Sequence, residues 1–281
     1  MRLYRKVGRW MKTLFINNQN LHLIQKQAPS CVIALGYFDG VHLGHQQVII
    51  TARKEANKRG LPLAVMSFRP HPIDILSKGK RIVPHLTTIC EKEKRLKQLD
   101  VDLFYLVDFT FPFATLTSSQ FVEDYLMKLR VVHAVAGFDF SYGAKGVAKL
   151  PQIVTDSNGE ISVTKVNCID YNGEKISSSA IRHRLLTAAV HEIPHFLGNY
   201  YTSKVHWDGY EFQQIEKTML PLTGTYKVIL ENLNYKTNAY ISINIADQIQ
   251  PLEIQKPLPK GVFSIHWLQN VKNAVLSQAI L

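Results

Sequence analysis

The sequence predicts an α/β fold, Rossmann-like, with a parallel sheet covered by helices on both faces and a small, mainly antiparallel β domain after it. Two patterns predict this. Through the first two thirds of the 281 residues, strand-like runs alternate with helical stretches at 31–36, 45–58, 62–68, 88–99, 103–107, 118–129, 131–136, 161–168 and 178–189. Such alternation is how a parallel sheet is buried beneath its own crossover helices. After about residue 190, β-branched and aromatic runs take over at 200–207, 224–230 and 239–245. The division is placed there, into domains 1–190 and 191–281, and a closing helix is expected over 267–279.

Cys31-Val32-Ile33-Ala34-Leu35 is a continuous apolar run that suits a strand buried on both faces, and Gly36 ends it. Residues 46–58 read as a helix: Val48, Ile49, Ala52 and Ala56 share a face, Arg53, Lys54 and Lys58 lie off it, and Gly60 is the stop. Leu63-Ala64-Val65-Met66 and Val131-Val132-His133-Ala134-Val135-Ala136 repeat the strand pattern. Thr88 to Glu91 and Thr117 to Gln120 have capping-box spacing and start two further helices. Residues 141–160, with glycines at 143, 146 and 159, read as a mobile loop region.

Composition narrows the class. With 46% hydrophobic residues the chain can bury a sizeable core. It has no run of about 18 apolar residues, the length a membrane helix needs. Arg2, Arg5, Lys6 and Arg9 make the start basic, but Asn17-Asn18-Gln19-Asn20 is no signal-peptide core, and Met11 offers a second start. Cys31, Cys90 and Cys168 form neither a disulfide framework nor a C-x-x-C zinc pair, which favours a reducing, cytoplasmic compartment. The net charge of +11 is spread along the chain. It reads as solvated faces and steering of polyanionic small substrates, so neither nucleic acid nor membrane is expected as a partner.

The most informative stretch is Gly36-Tyr37-Phe38-Asp39-Gly40-Val41-His42-Leu43-Gly44-His45, a glycine-rich turn between strand and helix. In an open α/β sheet such a turn lies at the carboxyl edge of a strand, where the free N–H groups of the helix start favour anions. His42 and His45, three apart, fall near one face and can converge on one phosphate. H-x-x-H is also a metal-ligand spacing, and a loop histidine is often only a surface residue. Ser177, Ser178 and Ser179 precede another helical stretch with Arg182 in its first turns, a set suited to polyphosphate or to simple capping. Phe138, Phe140 and Tyr142 alternate among glycines and could line a slot for a flat ring or pack around a turn.

Residues 36–45 resemble the H-x-G-H signature of the nucleotidyltransferase superfamily, in the G-x-F-D-G-x-H-x-G-H form of bacterial FAD synthetases. Ser67-Phe68-Arg69-Pro70-His71-Pro72 is similar to that family's F-x-P-H-P segment. Residues 137–146 resemble its G-x-D-F-x-F-G loop, with Ser141 where an Arg is common and Tyr142 where a Phe is. Ile176-Ser177-Ser178-Ser179-Ala180-Ile181-Arg182 resembles its I-S-S-T-x-I-R segment. The motifs occur in the family's order.

The resemblance implies transfer of the adenylyl group of ATP to FMN, with Mg²⁺ accompanying ATP and no metal ligands on the protein. It gives His42 and His45 the charge stabilisation, with Arg182, Ser178 and Ser179 on the leaving phosphates. Gly36, Phe38, Asp39, Gly44 and Ser177 would shape the ATP site, and Phe68, Pro70, His71, Phe138, Asp139 and Tyr142 would border the flavin. The second domain departs from the family. Leu197-Gly198-Asn199-Tyr200-Tyr201 and Leu220-Pro221-Leu222-Thr223-Gly224 resemble parts of a riboflavin kinase module, but Asp208 to Lys217 stands where its P-T-A-N segment belongs. The module reads as shortened, and riboflavin kinase activity is expected to be absent. A nucleotidyltransferase for another phosphomonoester, or a non-catalytic flavin- or nucleic-acid-binding regulator, remains open on the residues alone.

Overall fold

The structure, a computed structural model, describes residues 11–271. The basic start at Arg2 to Arg9 lies outside the described residues. The chain folds into two compact units, 11–83 with 89–169, and 84–88 with 170–271.

The first unit is built on six strands: β1 (Lys12–Ile16), β2 (Cys31–Leu35), β3 (Leu63–Arg69), β4 (Leu103–Asp108), β5 (Val131–Gly137) and β6 (Ser162–Val166). They form one parallel sheet in the order β1-β4-β3-β2-β5-β6. All five residues of β2 are buried, as expected for a central strand with helices on both faces. Alternate residues go to opposite cores: Ile33 and Leu35 pack with Met66, Tyr105 and Ala134, while Val32 and Ala34 pack with Val65, Phe104 and Val135. The connections run from β2 outwards to β3 and β4 on one side, then return to β5 on the other. The order therefore reverses beside β2, and the crevice at the carboxyl ends of β2 and β5 is where such sheets take ligands.

The helices read from sequence are present at Leu43–Arg59, Ile89–Gln98 and Ser178–Leu186. The stretch from 118 splits into an α-turn at Ser118–Val122, opened by the Thr117–Gln120 capping box, and a π-turn at Glu123–Met127. β1 and the helix Leu21–Gln27 were not legible: both are short, and the helix buries no residue, so neither carries a strong apolar period. Within 141–160 the chain forms a short hairpin, Ser141–Tyr142 with Ala148–Lys149, and a helix at Gln152–Asp156.

The second unit holds a closed antiparallel barrel of β7 (Tyr201–Trp207), β8 (Phe212–Gln214), β9 (Gly224–Glu231), β10 (Lys236–Ile243), β11 (Ile249–Ile254) and β12 (Gly261–Val271). Its circular order is β7-β8-β11-β10-β9-β12. The closing helix expected over 267–279 is corrected as far as the described residues reach: Trp267 to Val271 belong to β12, which pairs with β7 and β9 and closes the barrel. The burial of Phe263, Ile265 and Trp267 has period two, and a helix there would leave both neighbours with unpaired edges. Residues 272–279 lie outside the described residues. Inside the barrel Trp267 Nε1 donates to Ser203 Oγ at 3.0 Å, and its ring meets Tyr226 edge-on at 5.3 Å.

Ile241 on β10 is fully buried. Truncation of such a side chain typically costs about 2–5 kcal/mol in lost transfer energy and residual cavity. Ile241→Ala should therefore lower the urea midpoint followed by tryptophan fluorescence, since Trp207 and Trp267 both report on the barrel. An unchanged midpoint would mean that the barrel core is not packed as described.

Candidate active site

The turn after β2 is forced into an unusual path by its own side chains. Phe38, Gly40 and Val41 all have positive φ, at 54°, 77° and 43°. A left-handed β-branched residue such as Val41 is costly and persists only where its surroundings over-determine it. Phe38 folds back beneath Gly36, and a Cβ on Gly36 would lie 3.0 Å from the Phe38 ring. The hydrophobic Phe38 and Val41 are thereby buried, together with the polar Asp39 and His42.

The turn delivers His42 to the N-cap of the helix Leu43–Arg59. His42 Nδ1 accepts from the His45 backbone N–H at 3.2 Å. An imidazole that accepts at Nδ1 carries its proton on Nε2, so His42 presents an N–H donor on its far side. The two imidazoles stack, with centroids 3.6 Å apart and planes at 17°, and Phe38 packs edge-on against His45 at 5.1 Å. Gly44 places no side chain in this first turn. The result is a helix start with two aligned imidazoles, a geometry suited to an anion.

Two cations hold the turn from the helix Ile89–Gln98. Lys92 Nζ donates to the Tyr37 carbonyl at 3.0 Å and to Ser67 Oγ at 3.2 Å, and Ser67 Oγ donates to the same carbonyl at 2.6 Å. One turn on, Arg95 donates to the Gly40 carbonyl at 2.8 Å. Sequence reasoning passed over both residues. The available signal was that Lys92, Arg95 and the core residue Leu96 share one helix face, which places two cations on the buried side.

His71 N-caps the helix Pro72–Leu76 and lays its ring edge-on to Tyr37 at 4.3 Å, joining the segment after β3 to the turn after β2. Beside them opens a cavity of about 340 Å³. Gly36, Tyr37, Phe68, Phe113, Phe121 and Phe140 contribute to its walls, with Tyr142 and Lys145 from the loop after β5. Lys145 is the one charged residue among the lining. Pro70, His71, Phe138 and Asp139 are not part of the lining, and Phe138 is exposed. Tyr142 is fixed by donating to Asp156 Oδ2 at 2.8 Å. Gly143, at φ 73°, lets the loop approach the helix at Ser118, where a Cβ would come within 3.0 Å of backbone nitrogen.

In the second unit Ser177 is the N-cap of the helix Ser178–Leu186, its Oγ accepting from Ala180 N at 3.1 Å. Ser178 and Ser179 form the first turn. Arg182 donates from Nε and Nη2 to the Pro84 carbonyl at 3.1 and 3.0 Å. Among the described residues no three His, Cys, Asp or Glu side chains gather as a metal site, and no helix is long and apolar enough to cross a membrane.

Residues 24–180 match the protein family described as FAD synthetase. The chain is 37% identical to the bifunctional riboflavin kinase/FMN adenylyltransferase of Bacillus subtilis, over 94% of this chain and 90% of that protein. It is 32% identical to the FAD synthetase of Listeria monocytogenes, over 83% of this chain and 95% of that protein. A solved structure described as a macrolide-efflux protein from Streptococcus pneumoniae superposes with a TM-score of 0.81 at 27% identity, covering 96% of this chain and 95% of that one.

Burial lowers the Lys92 pKa from 10.5 to about 8, partly opposed by the charge of Asp39. The folded chain therefore releases this proton at lower pH than the unfolded chain. Below about pH 8 both states hold the proton and the burial cost stands in full; between there and the ordinary lysine range the unfolded state binds more protons, so this residue's contribution to stability rises with pH. The melting temperature of the native protein should accordingly gain on that of Lys92→Met as pH rises from about 8 to about 10. A difference that stays constant through that window would exclude Lys92 as the titrating group.

Proposed function

The chain belongs to the FAD synthetase family, and from that premise we propose that it makes FAD and pyrophosphate from FMN and ATP while lacking riboflavin kinase activity. The observation that carries the reading is the stacked His42–His45 pair at a helix start on the sheet's switch point, beside an aromatic cavity. The ligand crevice of the fold and the chemistry of the motif coincide there.

A phosphate oxygen of FMN attacks the α-phosphorus of ATP in line. As that bond forms, the bond from the α-phosphorus to the bridging oxygen breaks, and its electron pair leaves with pyrophosphate. The step needs no covalent protein nucleophile, only alignment of two anions and compensation of charge that grows in the transition state. His42, through Nε2–H, and His45 supply that compensation, with the N–H groups of the helix start. Ser178, Ser179 and Arg182 hold the departing phosphates, with Ser177 fixing their turn. Gly36, Phe38, Asp39 and Gly44 shape the nucleotide side. The flavin ring occupies the cavity against Phe68 and Tyr142, with Pro70, His71, Phe138 and Asp139 at its border. Mg²⁺ enters as part of the ATP substrate.

Adenylyl transfer thus draws on residues 1–190, and 191–281 is a reduced relative of a riboflavin kinase module. Two observations support the loss of kinase activity. Where a P-T-A-N segment would bind nucleotide, Asp208 turns the chain by accepting from the N–H groups of Tyr210 and Glu211 at 2.8 and 2.9 Å, and β8 follows. The Listeria relative named only as an FAD synthetase is matched over 95% of its length. The free cysteines, with Cys31 buried and its thiol pushed up to about 12, suit a cytoplasmic enzyme.

Incubation with ATP and Mg²⁺ should yield FAD from FMN and nothing from riboflavin when the flavins are resolved by chromatography. FMN produced from riboflavin would overturn the kinase assignment, and no FAD from FMN would overturn the transferase assignment. Replacing His42 or His45 with Ala should lower kcat by roughly 10²–10³, the scale of one preorganised charge-stabilising group. A variant that retains the native rate would leave the catalytic set.

A further inference from the structure

The helix that begins at Ser178 carries a second arginine that the mechanism above does not use. Arg184 is 8% exposed, yet its guanidinium faces two carboxylates. Nη1 and Nη2 meet Glu174 Oε1 and Oε2 at 2.9 and 2.6 Å, and Nε lies 3.0 Å from Glu192 Oε2. The guanidinium also lies over the Phe196 ring at 3.9 Å. A cation this buried is tolerated only when its geometry is fully specified by partners, and removal of one partner is expensive.

The clamp has a particular place in the chain. Glu174 opens the returning strand of a hairpin, Asp170–Tyr171 with Glu174–Lys175, whose Tyr171 stacks on His195 at 4.3 Å. The Glu174–Arg184 fork therefore closes a short loop whose interior is the serine segment and Arg182. Arg184 also acts on the first turn directly, since Nη1 donates to the Ala180 carbonyl at 3.2 Å while Ala180 N is held by Ser177 Oγ. The same residue is thus gripped on both its backbone groups. A planar fork can satisfy Glu174 and Ala180 together; a lysine ammonium presents no such fixed geometry.

We propose that Arg184, clamped by Glu174 and Glu192, is the positioning residue that holds the Ser177–Arg182 turn in the form that receives the phosphates of ATP. This rests on the reading of that segment as the polyphosphate holder. Arg184 itself touches no substrate.

The test uses the full-length protein with Arg184→Lys and Glu174→Gln, the latter changing the more exposed partner and leaving the buried cation its second carboxylate. For each variant the KM for ATP and for FMN and the Kd for pyrophosphate by calorimetry are measured. We expect the ATP KM and the pyrophosphate Kd to rise about tenfold in both variants with the FMN KM unchanged, the split that loss of phosphate positioning produces. The double variant should be no worse than either single one, because both break the same fork. Unchanged ATP KM and pyrophosphate Kd in folded Glu174→Gln would overturn the proposal, as would equal rises in the KM for both substrates. Native protein that binds pyrophosphate but forms no FAD would count against the proposed reaction alone, because the pyrophosphate Kd tests the clamp without turnover.

Discussion

The site depends on one constraint: the turn at 36–42 must leave a buried parallel strand and enter a helix within seven residues. Neither Phe38 nor Val41 adopts positive φ without cost. The compensation is local and can be named. Phe38 fills the space that Gly36 leaves by having no side chain, while Lys92 and Arg95 satisfy the Tyr37 and Gly40 carbonyls from a neighbouring helix. Those two carbonyls are thus held by side chains from outside the turn, whose last residue, His42, opens the next helix and stacks on His45. Burying Lys92 to do this is unfavourable in itself, as the depression of its pKa shows. An apolar residue would remove that cost and abandon the two oxygens that the amine satisfies.

The same turn organises what lies around it. Tyr37 projects from it to meet His71, and Ser67 on β3 shares the Tyr37 carbonyl with Lys92, so the turn is tied to the segment after β3. The loop after β5 stands on the other side of β2 and supplies Phe140, Tyr142 and Lys145 to the cavity. Three motifs separated by tens of residues in sequence thus leave from three adjacent strands. Parallel β3, β2 and β5 all point their carboxyl ends the same way, so any loops that follow them must share one edge of the sheet.

The central strands and the helix Leu43–Arg59 were legible because complete burial leaves continuous apolar runs and one-sided burial leaves a 3.6-residue period. The H-x-G-H turn was legible because its glycines and histidines serve backbone path and charge rather than packing. Lys92 and Arg95 were not, since a charged residue on a helix reads as solvated until the partner carbonyl is known. The barrel was half legible. β7, β9 and β10 alternate buried and less buried residues, whereas the three-residue β8 and the Pro-containing β11 carry too little pattern, and the end of β12 from Trp267 to Val271 fell within the stretch expected to be a helix.

The barrel has a structural role that does not depend on chemistry of its own. The helix that carries Ser178, Ser179 and Arg182 belongs to the second unit. The Leu222 N–H, just before β9, donates to the Leu185 carbonyl at 2.8 Å near the end of that helix. Arg182 holds the Pro84 carbonyl, and Met219 N–H holds that of His85, so the 84–88 segment is bound from both the helix and the barrel side. On the proposed mechanism, the residues that retain the leaving phosphates are therefore mounted on the barrel's framework. On that reading, the demand for a rigid support beneath Ser177–Arg182 holds whether or not the barrel carries chemistry of its own. The barrel strands keep a buried interior, with Val205, Val228, Ile241 and Ile265 all fully buried, while Asp208 accepts from Tyr210 N–H at 2.8 Å and reverses the chain before β8.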